Sequence, residues 1–337
     1  MSPRWRLAGP LTALVVIHLA TLVGGFLAPN SAIEQNRELA WAPPTKLRFV
    51  DATGQFHLRP FVYPLKPDPE ILGLYTEDRA SPCPVRLLVR GDDYRFLGLF
   101  PTDLHFLGVD APAKLYFLGT DAVGRDVFAR TLVGGRTSLF AGLLAASLAL
   151  GIGTLLGGLA GYFGGRTDAV LMRVVELFLA LPWLYLLLAV RAFLPLTFSP
   201  LEGFTLMVTV VGCLGWPIPA RLVRGIVLST KERLFVAAAR STGARDSLLF
   251  RKHVLPQALP ALATQAAVLI PSYVLAEITL SFLGLGIAEP EPSWGNLLRH
   301  LQEYNVLASY PWIGSPTIAL LGAFFAYHNL SQTRRLR

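Results

Sequence analysis

Thr137 to Phe163 reads TSLFAGLLAASLALGIGTLLGGLAGYF, 27 consecutive residues without a charge. A helix needs about 20 mostly apolar residues to cross the hydrocarbon core of a bilayer, so this stretch is long enough to span one. Its small residues recur at every fourth position: Ala141, Ala145, Ala149, Gly153, Gly157 and Gly161. Helices in lipid gain little hydrophobic energy by associating and rely on close backbone approach. The ridge therefore predicts a packing face along the full membrane depth, against a neighbour in a bundle or across a dimer.

The rest of the chain agrees with a membrane protein. Of 337 residues, 53% are hydrophobic and 15% charged, against about 25% charged in soluble domains; mean hydropathy is +0.49. This composition excludes disordered, collagen-like and disulfide-scaffold classes. Five further segments read as spans: Leu7–Ala28, Ala169–Leu196, Phe204–Ala220, Ala258–Ile287 and Val306–Tyr327. The first follows Arg4 and Arg6 and exceeds the 7–15 residues of a signal-peptide core, so it reads as a retained anchor helix. Cys83 lies in a polar run and Cys213 in an apolar one, which argues against a disulfide between them, and no CxxC zinc spacing occurs.

The net charge is +8, and its placement sets the topology. With both termini inside, the short inner segments hold 15 Lys or Arg and 3 acids. The short outer loops carry Glu202, Glu289, Glu291 and Glu303 against Arg299. Basic residues concentrate in cytoplasmic loops, so the excess marks orientation rather than nucleic-acid binding. The loop from about Pro29 to Arg136 then faces outward, with 13 bases and 13 acids. Within it, Leu47–Asp51, Phe56–Tyr63 and Val85–Phe100 read as strands, the last folding back at Arg90-Gly91-Asp92-Asp93. A small β-rich domain is the expectation, with an extended loop as the alternative. His57, His105 and Cys83 show no metal-ligand spacing.

Catalytic patterns are missing. There is no Gly-Lys dipeptide for a Walker A loop, no His-Glu for a zincin and no Gly-x-Ser-x-Gly elbow. Gly119 to Asp126 reads as a turn in which Asp126 caps the following helix. Tyr273, Glu277 and Ser281 share one face of the fifth span. An acid in a span faces protein or a water-filled cavity, so the stripe either lines a path or bonds a neighbouring helix.

Between Arg221 and Leu259, Lys231–Thr242 reads as a short helix with Leu234, Phe235, Ala238 and Ala239 to one side, ended by Gly243 as a C′ glycine. Asp246 can cap a second helix from Ser247 to about Val254, stopped by Pro256. Two short amphipathic helices on the basic side can lie on the membrane or enter a soluble partner.

At these residues the chain resembles a known family. Ala237-Ala238-Ala239-Arg240-Ser241-Thr242-Gly243 followed by Leu255-Pro256 resembles the EAA loop of ABC-importer permeases. Leu118-Gly119-Thr120-Asp121 with Gly124-Arg125-Asp126, Leu280 to Gly286, Pro292-Ser293-Trp294-Gly295-Asn296, Trp216-Pro217 and Arg221 to Gly225 resemble signatures of the dipeptide/oligopeptide/nickel permeases. The resemblance covers about Leu118 to Tyr327 and the first span. It implies an all-α membrane protein with six transmembrane helices, like a type I ABC importer permease: residues 1–29 an N-terminal helix, 30–118 a β-rich extracytoplasmic insert, and 119–337 a five-helix core with its coupling loop at 221–259. It further implies a non-catalytic permease subunit of the inner membrane, with no cofactor of its own, for peptides or peptide-like solutes. The implied partners are a second permease, two ATPase subunits that bind ATP and Mg, and an extracytoplasmic binding protein. Leu234, Phe235, Ala238 and Gly243 would enter the ATPase groove, with Arg240, Arg245 and His253 on its flanks. Two features depart from the family pattern. Ala237 stands where the loop has glutamate, and the outward insert is long. A secondary transporter and a membrane-anchored extracytoplasmic binding module are the rivals from other classes.

Overall fold

The computed structural model describes residues 3–71, 73–193, 199–284 and 286–335. The chain forms two compact units. One comprises Met1–Pro10, Phe140–Glu277 and Tyr327–Arg337; the other comprises Leu11–Leu139 and Ile278–Ala326. Several long helices pass from one unit into the other.

Helix α1 (Pro3–Leu22) enters the second unit at Leu11 and leads to a short α2 (Gly24–Leu27). Six strands follow: β1 (Arg48–Val50), β2 (Phe56–Val62), β3 (Leu65–Pro67), β4 (Tyr75–Glu77), β5 (Cys83–Phe96) and β6 (Phe100–Val109). Four of them form an antiparallel sheet in the order β1-β2-β5-β6, and β3 pairs with β4. The fold-back expected at Arg90–Asp93 is displaced. Strand β5 continues through those residues with a register irregularity, and the chain reverses at Leu97 and Gly98, whose φ angles are 55° and 77°. The turn-like residues are used in tertiary contacts instead. Asp92 accepts from Ser31 N at 3.0 Å and from Lys114 Nζ at 3.2 Å, and a side chain at Gly91 would come within 3.0 Å of the buried His105 ring.

Helix α3 (Val127–Phe163) starts ten residues before the uncharged stretch. Its N-terminus is capped by Asp126 Oδ1, which accepts from Phe128 N at 2.8 Å and Ala129 N at 3.2 Å. Beside it, Arg125 and Arg130 share Glu289, at 2.5 and 2.9 Å, while Arg125 also holds Asp121. Gly124 has φ +78°, and a Cβ there would lie 1.7 Å from Asn36 O. This position admits only glycine.

The other unit holds α4 (Gly165–Ala180), α5 (Trp183–Ala192), α6 (Pro200–Gly215), α7 (Pro217–Lys231), α8 (Leu234–Ser241), α9 (Asp246–Leu249) and most of α10 (Leu259–Phe282). The stretch expected as one span over Ala169–Leu196 breaks at Leu181, which is extended, before Pro182. A residue ahead of proline is pushed out of the helical region. Residues 194–196 of that stretch lie outside the described residues. The fourth span is a pair, α6 and α7, bent by 42° at Trp216; Pro217 opens the second member. After α10 come α11 (Trp294–Leu298), α12 (Tyr304–Ser309) and α13 (Ser315–Arg335). Among the described residues, Val127–Phe163 and Asp246–Phe282 are each long and apolar enough to cross a membrane, and the α6–α7 pair makes a third candidate.

Candidate functional site

The glycine ridge meets α7 within one unit. A Cβ at Gly153 would lie 2.8 Å from Trp216 O, one at Gly157 2.2 Å from Ala220 O, and one at Gly161 2.8 Å from Arg224 O. Of the two partners the sequence left open, the small residues are therefore seated on a neighbour in the same chain. Ala149 and Ala145, one and two turns earlier, are buried as well. Backbone contact at three successive turns fixes α7 against α3. Two polar clamps extend the hold. Arg224 donates through Nε and Nη2 to the two oxygens of Asp168 on α4, and this holds the Asp168 carboxyl below the usual carboxylate range. Lys231 Nζ donates to Gly161 O near the C-terminus of α3 at 3.0 Å, where a cation also meets the negative end of the helix.

Helix α7 runs directly into the loop of interest. Lys231 is its last residue rather than the first of the next helix, which begins at Leu234 after an extended Arg233. Helix α8 ends in a double hydrogen bond: Gly243 N to Arg240 O at 3.0 Å and Ala244 N to Ala239 O at 3.2 Å, with Gly243 at φ +85°. This is the Schellman arrangement, which requires a left-handed residue at C′. Arg245 is then extended and α9 follows.

Two expectations about the second short helix are corrected. Asp246 is its first helical residue and makes no capping bond; its Oδ1 accepts from Tyr162 Oη at 2.6 Å. Pro256 does not stop the helix. The chain continues through a π turn (Phe250–Val254) and a 3₁₀ turn (Leu255–Ala258) straight into α10. Proline at the start of a new helical turn has no N–H bond to lose, so Leu255 and Pro256 mark a change of pitch, half-buried, rather than an end.

The apolar residues of the loop divide into two sets. Val236, Leu249, Val254 and Ala258 are buried, the first, third and fourth in a core with Val223 and Val227. Phe250 packs edge-on to Tyr162 at 5.5 Å, and a side chain at Gly158 would meet its ring tip at 2.7 Å. Leu234 is 88% exposed, and Phe235, Ala237, Ala238 and Leu248 are exposed too, with Ala239 half-covered. Sequence reasoning missed Val236, Leu248, Phe250 and Tyr162. Leu234-Phe235-Val236 are three consecutive apolar residues, and no periodicity says which of them turns inward. Arg240 reaches Asp246 at 3.5 Å on the surface, where such pairs contribute about 0–1 kcal/mol.

The stripe Tyr273, Glu277, Ser281 is buried throughout. Tyr273 Oη donates to Gly215 O at 3.2 Å, where a Cβ on Gly215 would overlap it. Ser281 Oγ accepts from Ile287 N at 3.1 Å. Cβ atoms on Gly286 and Gly295 would each collide with Ser281, so the motif that ends the fifth span and the motif of the following loop meet at this serine. Leu285, within the first of those motifs, lies outside the described residues. The stripe is thus enclosed by its own chain.

A rigid connection from membrane helices to an exposed apolar patch is what this loop provides. The chain belongs to the family of binding-protein-dependent transport system inner membrane components, which matches residues 153–331. It is 37% identical over 175 residues to the oligopeptide transport system permease protein OppC of Bacillus subtilis, covering 52% of this chain and 55% of that one. To the dipeptide transport system permease protein DppC of the same organism it is 40% identical, covering 47% and 48%. To the glutathione transport system permease protein GsiD of Pectobacterium atrosepticum it is 34% identical over 243 residues, covering 72% and 75%. The chain thus spans about half the length of the two Bacillus relatives it matches. Among solved structures, a chain of the inward-facing MetNI methionine ABC transporter is similar with a TM-score of 0.46 at 18% identity, covering 60% of this chain and 94% of that one.

Proposed function

We propose that this chain is a permease subunit of an ATP-driven importer for peptides or peptide-like solutes. It crosses the inner membrane six times with both termini in the cytoplasm, and residues 30–118 form its extracytoplasmic insert. It pairs with a second permease, receives cargo from a binding protein and is driven by separate ATPase subunits that bind ATP and Mg. The family membership and the peptide transporters among the relatives support the class.

One observation carries the coupling role: a helix with Leu234 and Phe235 outward and Val236 locked inward, joined without a flexible link to α7 and α10. A moving ATPase needs a stiff contact. The backbone clamp of α3 on α7 and the Schellman end of α8 supply stiffness, and the exposed apolar residues supply a surface. With Ala237 in place of an acid, the contact rests on apolar packing and backbone shape.

The test is a cysteine at Leu234 in the assembled complex, whose native Cys213 is first replaced by serine. Crosslinking to an ATPase subunit that changes with ATP supports docking. Leu234→Glu with Phe235→Glu should abolish transport-stimulated ATP hydrolysis while the chain still inserts. Crosslinks only to lipid, or unchanged stimulation, would refute the coupling role.

A further inference from the structure

A cavity of about 810 Å³ lies in the second unit, away from the coupling loop. That is the size range of small-molecule sites. Its walls include Gly25 after the first helix, Tyr94, Arg95, Gly98 and Asp103 of the β5–β6 hairpin, Arg136 of α3, and Glu291.

Arg136 is the informative member. It is half-buried, and it makes no hydrogen bond or ion pair among the described residues; Glu291 acts on it only through space. Its depth is set by the sequence. Asp126 caps α3, Arg136 sits ten residues further, about 15 Å along the axis, and the 27 uncharged residues begin at Thr137. Arg136 therefore marks the level where hydrocarbon meets the polar zone. The hairpin turn lies at the same level, because a Cβ on Gly98 would come within 3.6 Å of Arg136 Nη1. The next two residues, Leu99 and Phe100, are 71% and 62% exposed. Exposed apolar side chains such as these, at a membrane boundary, enter the acyl region. Leu11, Val15, Val16 and Leu19 of α1 are exposed on the helix that leads up to Gly25, so the cavity stands where an apolar, outward-facing helix ends.

The charges lining it have both signs: Arg95 and Arg136 against Asp93, Asp103 and Glu291. An acid-free basic pocket would suit an anionic lipid; this one suits a zwitterion. The geometry points to a headgroup site for a phospholipid that carries a phosphate and a primary ammonium, of the phosphatidylethanolamine class. Arg136 meets the phosphate, Glu291 and the hairpin acids face the ammonium, and Leu99 and Phe100 lie among the acyl chains. The site clips the insert to the leaflet on its own side of the membrane. This assignment needs α3 to cross the bilayer and does not depend on the cargo.

The test places the full chain in nanodiscs of equal phosphatidylethanolamine, phosphatidylcholine and phosphatidylglycerol and measures the lipid retained on gentle extraction by native mass spectrometry. Phosphatidylethanolamine should be enriched at least fivefold over both others. Arg136→Gln should bring the enrichment below twofold, and Leu99→Ser with Phe100→Ser should reduce it. Glu291→Gln should move the preference towards phosphatidylglycerol, and this variant decides the matter if Arg136→Gln does not accumulate. Equal retention of the three lipids overturns the site, as does enrichment indifferent to Arg136 and Glu291. Displacement of the lipid by millimolar Ala-Ala would assign the cavity to peptide instead, and loss of second-permease pairing in the Leu99/Phe100 variant with lipid retention intact would assign the hairpin tip to that subunit.

Discussion

Gly157→Ala adds one methyl group where α3 meets the backbone of α7 most closely. The new Cβ would lie 2.2 Å from Ala220 O and 2.8 Å from the Ala220 C and Cα atoms. All three are backbone, so no side chain can swing aside. Carbon–oxygen contacts of this kind settle at about 3.3–3.6 Å, and α3 and α7 would have to part by about 1 Å. Parting them also loosens the contacts at Gly153 and Gly161 and the Lys231 bond to Gly161 O. Overpacking of this sort costs about 1–3 kcal/mol, or a fall of roughly 5 °C in melting temperature for a chain of this size. Gly151→Ala is the control, because nothing lies within 4 Å of its Cβ and alanine is the better helix former by about 1 kcal/mol. Thermal unfolding of the purified chain in detergent should separate the two variants in opposite directions. Because α7 leads into the loop proposed to dock an ATPase, that proposal predicts that Gly157→Ala also lowers coupled ATP hydrolysis in the assembled complex. Equal melting temperatures for the two variants would show that the glycine ridge does not carry the α3–α7 contact.

Two further outcomes follow from single positions. At Gly243, a β-branched residue meets a left-handed backbone that costs an L-residue about 1–2 kcal/mol, so Gly243→Val should uncouple ATP hydrolysis from transport while Gly243→Asn, which tolerates that conformation, keeps most of it; equal activity of the two would show that the left-handed end of α8 is not required. Asp126 is fully buried, and burial pushes its carboxyl up to about 6 against the hydrogen bonds from Asn30 and from the helix N–H groups. The folded chain thus holds this proton more tightly than the unfolded chain, whose carboxyl titrates near 3.8. The stability it contributes is full below about pH 4 and is lost as pH rises through 6, on the order of 3 kcal/mol. The melting temperature of the parent chain should fall relative to Asp126→Asn between pH 4 and 7, and a constant difference across that interval would refute the assignment.

What could be read early was what depends on neighbours along the chain. A run of 27 uncharged residues declares a helix in lipid, whatever surrounds it. A glycine four residues beyond Ala239 and an aspartate before Val127 act through backbone groups only a few positions away, so the end of α8 and the start of α3 were legible. The fold-back at Arg90–Asp93 was misplaced because Gly and Asp mark turns only when their side chains have nothing better to do. Here Ser31, Lys114 and His105, distant in sequence, engage Asp92 and the space beside Gly91. The same limit applies to Pro256, which ends a regular helix but is accommodated by the change from π to 3₁₀ pitch.

The sequence by itself determined that this chain is apolar, with runs long enough to cross a membrane and a basic loop containing a short helix ended by glycine, because charge density, apolar run length and cap chemistry are local. Only the tertiary structure decided that the glycine ridge faces α7, that Val236 rather than Leu234 turns inward, and that Tyr273, Glu277 and Ser281 are packed within the chain. Each of these is a choice between faces of a helix. A helix apolar on more than one side carries no local signal for that choice, and it is settled by which backbone can approach most closely.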